Sequence, residues 1–123
     1  LTRDAVDDEE RNMAGAQAFE VNELQSRSAG DSRPYTEFLR RPNVSMGIYS
    51  LAAGGEDLQH PHDSDEVYVV LRGAATLRVE SEEFDVSTGS VVSVDRGVDH
   101  NFENITEDLQ VLVVFAPPEE PEI

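Results

Sequence analysis

The chain has no cysteine. Disulfides, thiolate metal ligands and a cysteine nucleophile are therefore excluded, while the redox compartment stays open. Lysine is missing too: all 9 basic residues are arginine, so Schiff-base chemistry is closed to it. No apolar run approaches the roughly 20 residues that a bilayer-crossing helix needs. The first residues hold Arg3, Asp4, Asp7, Asp8, Glu9 and Glu10 where a secretory signal would be apolar, and a cytoplasmic location is expected. Positive charge is scarce: 26 acidic residues against 9 basic ones leave a formal charge of −17. The carboxylates are spread along the whole length, so neither nucleic acid nor an anionic membrane surface is expected as a partner. An even acidic coat without lysine also resembles the proteins of extreme halophiles. On that reading stability falls at low ionic strength, where carboxylate repulsion is unscreened; a melting temperature unchanged between low and molar salt rejects it.

What is present suffices for one domain. At 123 residues and 38% hydrophobic content, the chain suits a single core and is too short for two. Short runs rich in Val, Ile, Tyr and Phe recur between Gly, Pro, Asn, Asp and Ser. They predict strands over residues 18–21, 35–40, 44–51, 66–71, 75–80, 83–86, 91–94, 100–104 and 109–115. No window keeps a helical apolar period for three turns, and many short strands indicate an all-β sandwich or barrel. Residues 1–16 read as a flexible acidic arm, 17–116 as the barrel domain, and 117–123 as a Pro/Glu-rich tail that cannot extend a ladder. Alternation sets faces: Ala75, Leu77 and Val79 oppose Thr76, Arg78 and Glu80. Residues 109–115 are apolar on both faces, as expected of a strand that is central or covered by a second subunit.

The chain has 3 histidines, and their placement carries the functional argument. His60 and His62 are two apart, so on an extended chain both rings point the same way. Glu66 follows at another even offset, and His100 lies far along the chain after a Gly-marked turn. Two histidines, a carboxylate and a distant histidine form a four-donor set for a first-row divalent metal. Three imidazoles and one carboxylate suit Fe, Mn, Ni, Zn or Cu and leave open positions on an octahedral ion, which is the reason to expect chemistry there.

The frames around these donors are more specific than the donors. Gly54, His60, His62, Glu66 and Gly73 follow G-x5-H-x-H-x3-E-x6-G without a mismatch. Gly89, Gly97, His100 and Asn104 follow G-x5-P-x-G-x2-H-x3-N, with Asp95 in place of its proline. Over residues 35–115 the chain thus resembles a small single-domain cupin. The resemblance implies a double-stranded β-helix, or jelly-roll, barrel of short antiparallel strands. It implies one divalent metal ion held by His60, His62, Glu66 and His100, pointing inward from different strands. Gly54, Gly73, Gly89 and Gly97 would serve tight turns at positive φ, and Asn104 would close a turn. Asp95 would loosen the loop before His100.

By parity with Glu66, Tyr68 and Val70 face inward, and Phe102 does so with His100, whereas Asp99 and Glu103 face away. Tyr49 and Tyr68 are the expected hydrogen-bond donors to a substrate. The function implied is a metal-dependent enzyme of dioxygenase or isomerase type acting on a small organic molecule chelated to the metal. The alternative is a metal-bearing small-molecule binding or sensor module without turnover. A phosphosugar isomerase would need inward cations, for which Arg40, Arg72, Arg78 and Arg96 are the candidates. Cupins often pair through their outer strands, so a homodimer is expected.

Overall fold

Among the described residues, period-two apolar runs bounded by turn residues give six antiparallel strands preceded by one helix. The structure, a computed structural model, describes residues 15–30 and 32–119. Residues 1–14 of the expected arm and 120–123 of the expected tail lie outside the described residues. The elements are α1 (Val21–Ala29), β1 (Tyr35–Arg41), β2 (Val44–Leu51), β3 (Asp65–Val79), β4 (Glu82–Ser87), β5 (Val91–Val94) and β6 (His100–Ala116). The strand order is β1-β2-β6-β3-β4, with β5 also paired to β3.

Two strands are much longer than the sequence pattern indicates. The runs at 66–71 and 75–80 join into the 15-residue β3, and those at 100–104 and 109–115 into the 17-residue β6. Gly73 bends β3 without ending it: its φ is +97°, and a Cβ there would lie 2.3 Å from the Asp108 carbonyl oxygen. The β3–β6 register slips around it, between Val70 and Arg72, between Arg72 and Ala74 and between Ala74 and Thr76. Asn104, at φ 49°, occupies the matching bend in β6. The bend lets β3 serve two partners on one edge. Glu66 to Val69 pair with β5, and Ala74 to Val79 with β4, while β6 follows the other edge throughout. The enclosed core includes Leu77, Val111, Val113 and Phe115, all without solvent exposure.

The strand expected at 18–21 is absent: residues 18–20 are irregular and Val21 begins α1. The helix spans 9 residues, and only Leu24 and Ser28, four apart, are buried. Much of its contact is polar: Ser28 Oγ lies 2.9 Å from Ser50 Oγ, and Gln25 Nε2 donates to Gln110 Oε1 at 3.1 Å. A helix this short, held by one leucine and polar pairs, leaves no apolar period to read. It lies against β2 and β1, with Gln25 reaching Gln110 of β6, and β6 is a central strand of the sheet, between β2 and β3. Among the described residues no helix is long and apolar enough to cross a membrane.

Candidate metal centre

The strands carry half of the site. Alternation along β3 turns Glu66, Tyr68 and Val70 into the barrel at 2%, 1% and 2% exposure, and β6 does the same for His100 and Phe102. Asp99 and Glu103 face out, each 3.3 Å from Arg78. His100 pairs with Val79 and Glu66 with Phe115, at opposite ends of the β3–β6 ladder. The bends roll that ladder until His100 Nε2 stands 3.3 Å from Glu66 Oε2. The site therefore exists because β3 and β6 are bent.

Loops deliver the rest. In the segment between β2 and β3, the Asp57 carboxylate is buried and accepts from the Phe102 amide at 2.8 Å, from Gln59 Nε2 at 2.6 Å and from the Tyr49 hydroxyl. This latch ties the segment to β2 and β6. Farther along, His62 is buried with its ring stacked on Phe115, centroids 5.1 Å apart. Its carbonyl accepts the Gly97 amide at 2.9 Å, and Asp65 Oδ1 accepts the Arg96 amide at 2.9 Å. The loop before His100 is thus fastened to the His62 segment, with its own Val98-to-Asp95 turn at 3.2 Å. Asp95, in the motif's proline position, takes part in that turn through its backbone carbonyl. His60 is exposed, while His62, Glu66 and His100 come together.

Hydrogen bonding orders this interior. His100 Nδ1 is 2.8 Å from the Val98 carbonyl, so it carries a proton and Nε2 faces the cluster. The Tyr68 hydroxyl donates to Glu66 Oε1 at 2.8 Å and lies 2.8 Å from His100 Nε2. Burial opposes the charged form of His100, but the Glu66 hydrogen bond, the Val98 carbonyl and the charges of Glu66 and Asp57 outweigh it and raise its pKa. Burial, then the Glu66 charge, pushes the Tyr68 hydroxyl well above its ordinary value; burial and Asp57 do the same to Tyr49. Both tyrosines expected to touch substrate are therefore neutral donors already engaged with carboxylates.

The donor types fit a divalent ion. His100 is fixed through Nδ1, as metal-ligating histidines commonly are. His62 Nδ1 is buried without an aligned hydrogen bond, 3.7 Å from Glu66 Oε1. Glu66 meets His62 with one oxygen and His100 with the other, and among the described residues no three such side chains converge on a single point.

Three participants have no sequence signature. Asp57 lies in an unspecified stretch of the first motif. Glu119 follows two prolines, where strand parity no longer applies, yet its Oε2 is 3.0 Å from His62 Nδ1. Tyr35, edge-on to Phe115, has a buried hydroxyl without a partner. Surface cavities of about 350 and 390 Å³ border α1 and include none of these groups.

The fold agrees with that of known proteins. The cupin domain family model matches residues 47–115. This chain belongs to the cupin family. The cupin is 50% identical over 102 residues to an uncharacterized protein of Streptomyces coelicolor, covering 83% of this chain and 97% of that one. It is 32% identical over 85 residues to auxin-binding protein 1 of Arabidopsis thaliana, covering 61% of this chain and 43% of that one. Among solved structures, the cupin superposes on BH2720 from Bacillus halodurans with a TM-score of 0.69 at 19% identity, over 87% and 86% of the two chains. KdgF from a Halomonas species gives 0.66 at 20% identity, over 76% and 88%. These structural likenesses concern the fold alone.

Proposed function

We propose that this cupin is a cytoplasmic metal-dependent enzyme acting on a small organic molecule. The observation that carries the reading is the buried contact set of His62, Glu66 and His100, with His62 Nδ1 lacking an aligned hydrogen bond inside the barrel. A divalent ion of Fe, Mn, Ni, Zn or Cu, when bound, supplies Lewis acidity and a template for chelating substrate oxygens, in dioxygenase- or isomerase-type chemistry. His60, His62, Glu66 and His100 would hold it. Phe115 fixes the plane of the His62 ring, and the Val98 carbonyl fixes the His100 tautomer. Tyr68, kept protonated by burial and Glu66, donates its hydroxyl to Glu66 Oε1 and so holds that carboxylate in place, and the apolar interior excludes water. Phosphate recognition finds little support: Arg40, Arg78 and Arg96 pair with the outer carboxylates Glu37, Asp99 and Asp63, and Arg72 is exposed.

Elemental analysis of untagged protein, purified without chelator, tests the reading. Close to one equivalent of metal per chain is expected, and His100→Ala loses it. No metal, and none taken up in anaerobic titration, overturns it.

A second reading, ligand binding without turnover, draws on the likeness to auxin-binding protein 1. Oxygen uptake with Fe(II) and a panel of catechols, diketones and thiols separates the two: tight binding without consumption selects the binder. We further read the protein as a homodimer seated on the apolar groove of about 390 Å³ that includes Leu24, Phe38, Met46 and Leu112. A monomer in sedimentation velocity rejects that.

A further inference from the structure

Arg72 differs from the other arginines of the barrel. Arg40, Arg78 and Arg96 each meet a carboxylate, whereas among the described residues the Arg72 side chain has neither an ion pair nor a hydrogen bond. Parity with Glu66 would send Arg72 inward, but the register slip after Val70 reverses it. Val70 pairs with the buried Val111, while Arg72 pairs with Gln110, the next residue along β6 and so on the opposite face. Gln110 pairs in turn with Ser50 of β2. Ser50, Gln110 and Arg72 therefore form one polar row across β2, β6 and β3 on the outer face of the sheet.

A cavity of about 350 Å³ opens over this row beside the last turn of α1, bordered also by Arg33, Pro34 and Leu51. Ser28 Oγ and Ser50 Oγ, 2.9 Å apart, share one hydrogen bond between two hydroxyls, so one hydroxyl hydrogen is left to donate elsewhere. Gln110 is held at both ends of its amide by Gln25. Asp108, at the rim, already accepts the Ala53 amide at 2.9 Å. The cavity thus has a cation without a partner, a spare hydroxyl donor and, in Pro34 and Leu51, an apolar wall.

We propose that this cavity is a second ligand site, outside the barrel, for a small organic carboxylate. The planar guanidinium of Arg72 offers two parallel N–H groups to the two carboxylate oxygens. The spare hydroxyl of the Ser28–Ser50 pair donates to the same group, and the short apolar body of the ligand rests on Pro34 and Leu51. One negative charge suits the place better than two: the chain carries −17 and Asp108 stands at the rim, so a doubly charged phosphate is repelled more strongly than a carboxylate. The site is independent of the metal-centre reading, since none of its residues faces the barrel interior.

The test is titration of the full chain with butyrate at constant ionic strength, chloride being the ion replaced, followed by NMR at the Arg72 Nε–H and the Gln110 side-chain amide. Saturable shifts at these two groups are expected at millimolar butyrate, with weaker binding of inorganic phosphate. Arg72→Gln should weaken butyrate binding by about 10-fold, and Ser50→Ala by about 3-fold. Arg96→Gln, which removes a surface charge elsewhere, should leave it unchanged, and the amide spectrum of each variant reports whether it is folded. Butyrate binding that survives Arg72→Gln, or that falls equally in Arg96→Gln, overturns the site. So do shifts confined to the histidines of the barrel, which would place the ligand inside. Phosphate binding tighter than butyrate overturns the assignment to a carboxylate.

Discussion

The interior of this cupin is furnished by two kinds of chain. Glu66, Tyr68 and His100 ride on β3 and β6, where alternation and register fix their directions. Asp57, His62 and Glu119 arrive on connecting segments, each held by a few individual contacts. Backbone pairing positions the first group collectively, so no single side-chain contact is indispensable to it. The second group depends on particular atoms: the Asp57 oxygens, the Phe115 ring and the Ser45 hydroxyl. His60 and His62 make the contrast sharpest. They sit two residues apart on one segment, yet one is exposed and the other buried on Phe115.

Breaking the strand-borne group requires breaking its bend. Gly73→Ala places a Cβ against the Asp108 carbonyl at a positive φ, where the opposing atom is backbone and cannot swing away. A loss of about 3–4 kcal/mol is expected, seen as a fall in urea midpoint, together with loss of whatever His100 and Glu66 bind jointly. A Gly73→Ala protein of wild-type stability would show that the bend is soft.

Breaking the loop-borne group should cost somewhat less. Asp57→Ala strands the Phe102 amide and the Tyr49 hydroxyl in the interior, for about 2–3 kcal/mol. Hydrogen exchange should rise in the segment between β2 and β3 while the β3–β6 ladder stays protected. Uniform loss of protection would mean that the two groups are not separable.

Alkaline pH probes the boundary between them. Tyr35 and Tyr49 both have hydroxyl pKa values raised chiefly by burial. Their protonated forms are favoured by the fold, so the stability they contribute is complete below the unfolded value near 10 and is lost as pH rises above it. The loss is at most about 1.4 kcal/mol per pH unit for each tyrosine. Tyrosinate absorbance near 295 nm should therefore appear together with unfolding; its appearance at pH 10 in folded protein would contradict the burial. The smallest effect belongs to Ser45→Ala, about 0.5–1 kcal/mol, because only the Glu119 amide bond of 3.2 Å is removed.

Legibility in the sequence divides along the same line. Parity placed Glu66, Tyr68, Val70, His100 and Phe102 inward and Asp99 and Glu103 outward because a strand has a fixed period. The two cupin motifs carried the fold class. The joins within β3 and β6 escaped because a positive-φ glycine looks the same in a bend as in a turn. Helix α1 escaped because its contacts are a leucine, two serines and two glutamines, which leave no apolar stripe. Asp57 and Glu119 were invisible for a deeper reason: each is placed by a partner far away in sequence, and nothing local to them records it.

The β3–β6 ladder also sets an order of events. Its pairing begins where the intervening chain is shortest, at Val79 and His100, and ends at Asp65 and Ala116, where it is longest. Closing the short loop first costs the least entropy, so folding proceeds like a zip drawn toward Glu66. His100 lies at the first tooth and Glu66 next to the last. The two side chains meet only when the strands have closed along their length, and a half-folded chain therefore keeps Glu66 and His100 apart.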